Sequence, residues 1–143
     1  MHQIFVIEDH TAIRAAYHKL FGREADLQMV GEAATGEEAI EKLLTFRPDL
    51  ILMDLALPDL SGIELLRQLG DLYPTVPVLV ISGQDEFIYG PLVIKMGAIG
   101  YLHKRDVVTT LTNAIRQVLR GVPYRSERLE QAIEQRNRAP TRS

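Results

Sequence analysis

The residues of this chain best suited to group-transfer chemistry are the adjacent acids Glu8 and Asp9, a third acid at Asp54, a hydroxyl at Ser82 and an amine at Lys104. Carboxylates brought within several ångströms of one another repel, by roughly 4 kcal/mol per pair at about 4 Å and an effective dielectric of about 20. Such a cluster therefore needs positive charge. Lys104 supplies one unit, and a hard divalent cation such as Mg2+, which prefers oxygen ligands, supplies the rest. Carboxylate, metal, lysine and hydroxyl together make a phosphoryl-transfer site. In that chemistry Asp54 attacks phosphorus, Lys104 and the metal neutralise the phosphoryl oxygens, and Ser82 donates a hydrogen bond to one of them.

Taken singly, each residue has an ordinary reading. Asp54 opens a turn containing Pro58 and Gly62, Glu8 and Asp9 suit the start of a helix, Ser82 precedes Gly83, and Lys104 suits a solvated surface. What joins them is position. Apolar runs at residues 4–7, 27–33, 50–53, 78–81 and 99–102 read as strands, and Glu8–Asp9, Asp54, Ser82 and His103–Lys104 directly follow the first, third, fourth and fifth.

Between the strands the apolar spacing changes from two to about four, as helices require. Ile13, Ala16, Tyr17 and Leu20 share one face, and Thr35 caps a second helix whose buried stripe is Ile40, Leu43 and Leu44. A third helix starts near Ser61 with Leu65, Leu66, Leu69 and Leu72, and a last one carries Val107, Leu111, Ala114, Ile115 and Val118 before Gly121. Strands apolar on both faces, alternating with helices, predict a doubly wound parallel α/β sheet. That topology gathers the strand ends into a single crevice, where such folds bind ligands.

Composition sets the outer bounds. A chain of 143 residues, 46% hydrophobic, suits one globular domain, and a net charge of −3 gives no broad attraction to nucleic acid or to an anionic membrane. Cysteine is absent, so disulfides and thiolate metal sites are excluded. The first apolar run is far too short to span a bilayer. The chain reads as soluble and cytoplasmic, with no membrane partner.

The segments Ile7-Glu8-Asp9-His10, Met53-Asp54 through Gly62, Ile81-Ser82-Gly83 and Gly97 through Lys104 resemble the receiver domain of two-component response regulators, over essentially residues 3–120. The resemblance implies a five-stranded flavodoxin-like sheet of order 2-1-3-4-5. It implies that Glu8, Asp9 and Asp54 hold Mg2+ (or Mn2+), with the backbone carbonyl of Ala56 as a further ligand. It also implies that a histidine kinase phosphorylates Asp54, and that Ser82 and Tyr101 switch, the hydroxyl moving toward the phosphoryl group and the ring rotating inward. Residues 100–104 and 114–121 look like the subgroup whose receivers precede a LuxR-type helix-turn-helix (NarL/FixJ-like), which implies homodimers and transcriptional control. Residues 122–143 are too few for that output domain, so DNA would be reached only through a domain missing from this chain. The expectation is a receiver at 1–121 and, at 122–143, a linker or tail, a frayed helix carrying Leu129, Ala132 and Ile133.

Two departures stand out. Gly90-Pro91 falls where the family has its fourth helix, and there proline costs about 3 kcal/mol and glycine about 1 kcal/mol. That helix is expected to be short, kinked or late, with Pro91 in its first turn, and the partner face altered or mobile. Arg105 stands where many receivers have proline. Ala56 and Gln84 flank the line along which water would attack a phosphoaspartate, and His10 and His103 read as bystanders. The competing readings are a phosphorylation-independent interaction module and a phosphohydrolase of the haloacid-dehalogenase type. The latter wants an acid two residues beyond its nucleophile, where this chain has Ala56.

Overall fold

Successive side chains of a strand point to opposite faces of the sheet, so a run that is apolar at every position needs cover on both sides. The computed structural model, which describes residues 1–45 and 47–138, provides that cover. The strands are β1 (His2–Ile7), β2 (Leu27–Ala33), β3 (Leu50–Met53), β4 (Val78–Ser82) and β5 (Gly100–His103). The helices are α1 (Thr11–Gly22), α2 (Gly36–Leu43), α3 (Gly62–Leu72), α4 (Glu86–Lys95), α5 (Val107–Leu119) and α6 (Glu127–Arg138), with a 3-10 turn at Lys104–Asp106. All strand pairs are parallel and their order is β2-β1-β3-β4-β5, as the resemblance implied.

The pleat divides the core in two. Phe5, Ile7, Ile51, Met53, Val78 and Val80 meet α2, α3, α4 and α6 on one face. Their neighbours Ile4, Val6, Leu50, Leu52, Leu79 and Ile81 meet α1 and α5 on the other. Because the order reverses between β1 and β3, the connections leave on opposite faces and the ends of β1 and β3 are left open to solvent chemistry.

Two leucines of the expected buried stripes are exposed. Leu44 is 72% exposed because α2 ends at Leu43 and the chain turns there. Leu72, in the last turn of α3, is 52% exposed, and Tyr73 packs against the core instead.

Helix α4 also differs from expectation. It neither starts late nor holds Pro91 in its first turn: it begins at Glu86, and Pro91 lies inside it. Asp85 sets the start, its carboxylate accepting the Phe87 N–H at 2.9 Å. The reason for Gly90 lies elsewhere in the chain. A Cβ at this position would collide with Leu129 Cδ1, so with glycine here α6 seats its leucine on α4 without having to shift it. Burying Leu129 completely is worth about 1.5–3 kcal/mol, which offsets much of the local cost of Gly90 and Pro91.

The C-terminal segment is therefore a docked helix rather than a frayed one. Tyr124 donates its N–H to the Ile99 carbonyl at 3.1 Å, carrying the chain along β5. Ser126 then caps α6 by accepting the Leu129 N–H at 3.1 Å. Leu129 and Ala132 are buried, so the face expected from sequence is turned onto α4; residues 139–143 lie outside the described residues.

Candidate functional site

Asp54 is held by the sheet it terminates. Its N–H continues the β1–β3 ladder by donating to the Ile7 carbonyl at 3.0 Å, and its carboxylate is almost wholly buried. Asp54 Oδ1 accepts the Ala56 N–H at 3.1 Å, which folds the loop back over the acid. Gly62 makes that loop tight. A Cβ on Gly62 would lie 2.5 Å from Leu55 Cα, so the start of α3 rests directly on the residue after Asp54. The loop is tied on its far side as well, because Asp59 accepts the Gly36 and Glu37 N–H groups at 2.9 and 3.0 Å and so caps α2.

The acids gather as the topology requires. Ligand atoms of Glu8, Asp9, His10 and Asp54 all lie within 4.8 Å of one another. Lys104 reaches in from the end of β5, with Nζ 2.8 Å from Asp54 Oδ2 and 3.2 Å from Glu8 Oε1. Glu8 and Asp9 do not cap α1, whose N-cap is His10. Burial, and next the charge of Asp54, raise the Glu8 carboxyl above the usual carboxylate range. Burial lowers the Lys104 ammonium, but the hydrogen bond and charge of Asp54, with Glu8, outweigh it and hold the group above its ordinary value. Lys104 is thus a fixed cation between two acids.

The donor set fits a hard divalent cation. Glu8 Oε1 and Asp9 Oδ1 are buried without a hydrogen-bond partner among the described residues, although Lys104 and His10 stand at ion-pair range. Buried carboxylate oxygens left in that state are costly unless something else satisfies them. His10, read from sequence as a bystander, stands with Nδ1 3.2 Å from Glu8 and 3.1 Å from Asp9. His103 is turned to a local task, its Nδ1 accepting the Arg105 N–H at 3.1 Å.

Ser82 and Tyr101 meet through the backbone of Gln84. Ser82 Oγ accepts the Gln84 N–H at 3.0 Å, which leaves the hydroxyl proton free to donate, and the Tyr101 hydroxyl donates to the Gln84 carbonyl at 2.6 Å. The Tyr101 ring is fully buried in the same core cluster as Val93 and Leu129. Burial raises the phenol above its ordinary value, the Ser82 hydroxyl opposing. The side chains of Ala56 and Gln84 lie at the exposed rim.

One buried acid escaped the sequence reading. Glu86, the first residue of α4, is only 4% exposed and is held by Arg105 at 3.0 Å, by the Ser126 hydroxyl at 2.9 Å and by Arg128 at 3.8 Å. An acid in the first turn of a helix is ordinary, and its partners come from distant parts of the chain. The only signal was the pair of departures already noted, Gly90-Pro91 and Arg105. A large surface cavity of about 700 Å³ lies away from all of this, among residues such as His2, Asp49, Pro77 and Pro123 at the opposite ends of the strands.

Comparison with known proteins gives the same frame. Residues 4–116 match the family model described as response regulator receiver domain. Among curated proteins, the chain is 37% identical over 122 residues to the transcriptional regulatory protein DegU of Brevibacillus brevis, covering 85% of this chain and 52% of that protein. It is 30% identical over 133 residues to the response regulator GacA of Pseudomonas viridiflava, covering 93% of this chain and 62% of that one. The chain thus spans between about half and three-fifths of the length of these relatives. Among solved structures, a LuxR-family response regulator from Aurantimonas sp. SI85-9A1 superposes with a TM-score of 0.87 at 28% identity, covering 96% of this chain and 98% of that one. The RcsB response regulator of Salmonella typhimurium superposes with a TM-score of 0.88 at 18% identity, covering 94% of this chain and 70% of that one, a likeness of fold.

Proposed function

Because this chain belongs to the response regulator receiver domain family, we propose that it is a signalling switch whose phosphoacceptor is Asp54 and whose donor is a histidine kinase. The observation that carries the reading is the buried Asp54 carboxylate, paired with Lys104 and surrounded by Glu8, Asp9 and His10 at the mouth of a parallel sheet.

In the transfer an Asp54 carboxylate oxygen attacks the phosphorus of a phosphohistidine. The new P–O bond forms as the P–N bond breaks, the imidazole nitrogen leaves with the electron pair and takes up a proton, and Asp54 becomes an acyl phosphate. Lys104, already against Asp54, pairs with a phosphoryl oxygen. Ser82 turns its free proton toward another, and in doing so loosens its hold on Gln84. Asp9 and Asp54, with Glu8 and the Ala56 carbonyl, would hold Mg2+ or Mn2+. Such an ion neutralises charge on the phosphoryl oxygens and relieves the repulsion among the acids.

The added charge of about −1.5 to −2 at Asp54 is the signal, and the chain turns over no external substrate in this reading. The Gln84 backbone, clasped by Ser82 and Tyr101, is where the signal leaves the site. Residues 1–121 form the receiver and 122–143 its C-terminal extension. Output in this reading is transcriptional, as the likeness to the transcriptional regulatory protein DegU supports, and would run through homodimers and a DNA-binding domain outside these 143 residues. The setting is the cytoplasm; no helix among the described residues is long and apolar enough to cross a membrane.

Intact-mass spectrometry with Mg2+ and acetyl phosphate, run on the chain and on Asp54→Asn, tests the reading. A single phosphoryl adduct that disappears in the variant is expected. No adduct, or one that survives the substitution, overturns it.

A further inference from the structure

Two contacts fasten the amino half of helix α6 to α4. One is steric: Leu129, fully buried, occupies the notch left by Gly90. The other is polar: Glu86 accepts from the Ser126 hydroxyl at 2.9 Å and pairs with Arg128 at 3.8 Å, while Arg128 also approaches Asp85 at 3.5 Å and stands 5.7 Å from the Phe87 ring. Toward the carboxyl end the packing opens, and Pro91, Ile94, Ile133 and Arg136 line a groove of about 520 Å³ between the two helices. One exposed hydrogen bond spans that end, Arg136 donating to the Ile88 carbonyl at 3.3 Å, so the buried polar clamp at the amino end is the contact through which a signal can loosen the helix.

The clamp is wired to the candidate site by single backbone steps. Arg105, whose guanidinium lies 3.0 Å from Glu86, directly follows Lys104, whose ammonium lies 2.8 Å from Asp54. On the other side, Glu86 and the α4 cap Asp85 follow Gln84, whose N–H and C=O are held by Ser82 and Tyr101. A dianion placed on Asp54 pulls at both ends at once, drawing Lys104 and the Ser82 hydroxyl toward itself. The buried carboxylate between them then loses the alignment of its partners, and a buried acid that is left short of partners is costly.

We propose that α6 is a strap over α4 that phosphorylation of Asp54 unlatches through the Glu86 clamp. The proposal rests on the phosphoacceptor reading of Asp54 for its trigger, but not for the clamp itself. In the resting chain α6 seats Leu129 on α4 at Gly90, which explains the glycine inside that helix: the notch is shaped for a helix from the same chain. Once unlatched, α6 leaves as a unit, because its buried residues Leu129 and Ala132 lie one turn apart on a single face.

Hydrogen exchange followed by mass spectrometry on the full chain reads the strap directly. With Mg2+ and acetyl phosphate, amides of residues 127–138 are expected to exchange at least about ten-fold faster, with the β-sheet amides unchanged. Intact mass on the same sample separates the two failures. An absent adduct overturns the phosphoacceptor reading and with it the trigger; an adduct with unchanged exchange at 127–138 overturns the strap alone. Glu86→Gln and, as a surface variant that leaves the core untouched, Arg128→Ala test the clamp without phosphoryl donor. Both are expected to speed exchange at 127–138 while the sheet stays protected, and unchanged exchange in both overturns the clamp.

Discussion

Lys104 Nζ stands 2.8 Å from Asp54 Oδ2, joining the end of β5 to the end of β3 across the intervening strand β4. The same ammonium is 3.2 Å from Glu8 Oε1, so one side chain balances two buried acids.

Removing that cation leaves both acids uncompensated. Lys104→Ala is expected to cost about 1–3 kcal/mol in metal-free buffer, read as a lower urea midpoint. It is also expected to slow adduct formation from acetyl phosphate by about a hundred-fold, as loss of a charge-stabilising donor does. A variant as stable and as reactive as the parent would remove Lys104 from the site.

Divalent metal should stabilise the fold by satisfying the orphaned oxygens of Glu8 and Asp9. At Mg2+ near 100 times its Kd, the unfolding free energy should rise by about 2.7 kcal/mol, and EDTA should reverse the gain. In Asp9→Asn most of this response is expected to vanish. Thermal unfolding with and without metal decides it, and an equal rise in the variant would place the metal elsewhere.

The contact between Gly90 and Leu129 is open to a double-mutant cycle. Gly90→Ala alone should cost about 1–3 kcal/mol, because Leu129 is fully buried and has little room to yield. Leu129→Ala alone should cost about 2–5 kcal/mol. With Leu129 already truncated, Gly90→Ala should become neutral or stabilising by up to about 1 kcal/mol, since alanine is the better helix former. An identical cost in both backgrounds would mean that α6 does not seat there.

Acid unfolding should report the fork between Arg116 and Asp26, which ties α5 to the turn before β2 at 2.8 and 2.9 Å. The hydrogen bonds from Arg116 hold the Asp26 carboxyl at about 2, below its ordinary 3.8. A depressed carboxyl stabilises the fold at pH above its unfolded value and stops doing so as pH falls through its folded one. The difference in urea midpoint between the parent and Asp26→Asn should be flat above about pH 5, shrink between pH 3.8 and 2, and vanish below. A difference that persists at lower pH would assign it to something other than this charge.

Much of the fold was legible because its signals are local and repeated. Apolar runs announce strands covered on both faces, and the polar residues that follow four of the five mark one edge of the sheet. Glu8, Asp9, Asp54, Ser82 and Lys104 were each read that way as candidates, and the parallel sheet with its order β2-β1-β3-β4-β5 brings Glu8, Asp9, Asp54 and Lys104 into contact range. The parts that were misread depend on a partner remote in sequence. Leu44 and Leu72 fit the helical spacing, but burial is decided by where each helix ends relative to the sheet. Gly90 and Pro91 look like faults in a helix when only propensity is weighed.

The order of strands and helices and the chemical types set at the strand ends are written locally in the chain, because hydrophobic period and turn residues act over a few neighbours. Which distant groups share a contact emerges only once the chain is folded. Leu129 fills the notch at Gly90, and Glu86 is buried among Arg105, Ser126 and Arg128. Such contacts are set by packing in three dimensions, where one missing Cβ decides where a helix rests, and no spacing along the chain records it.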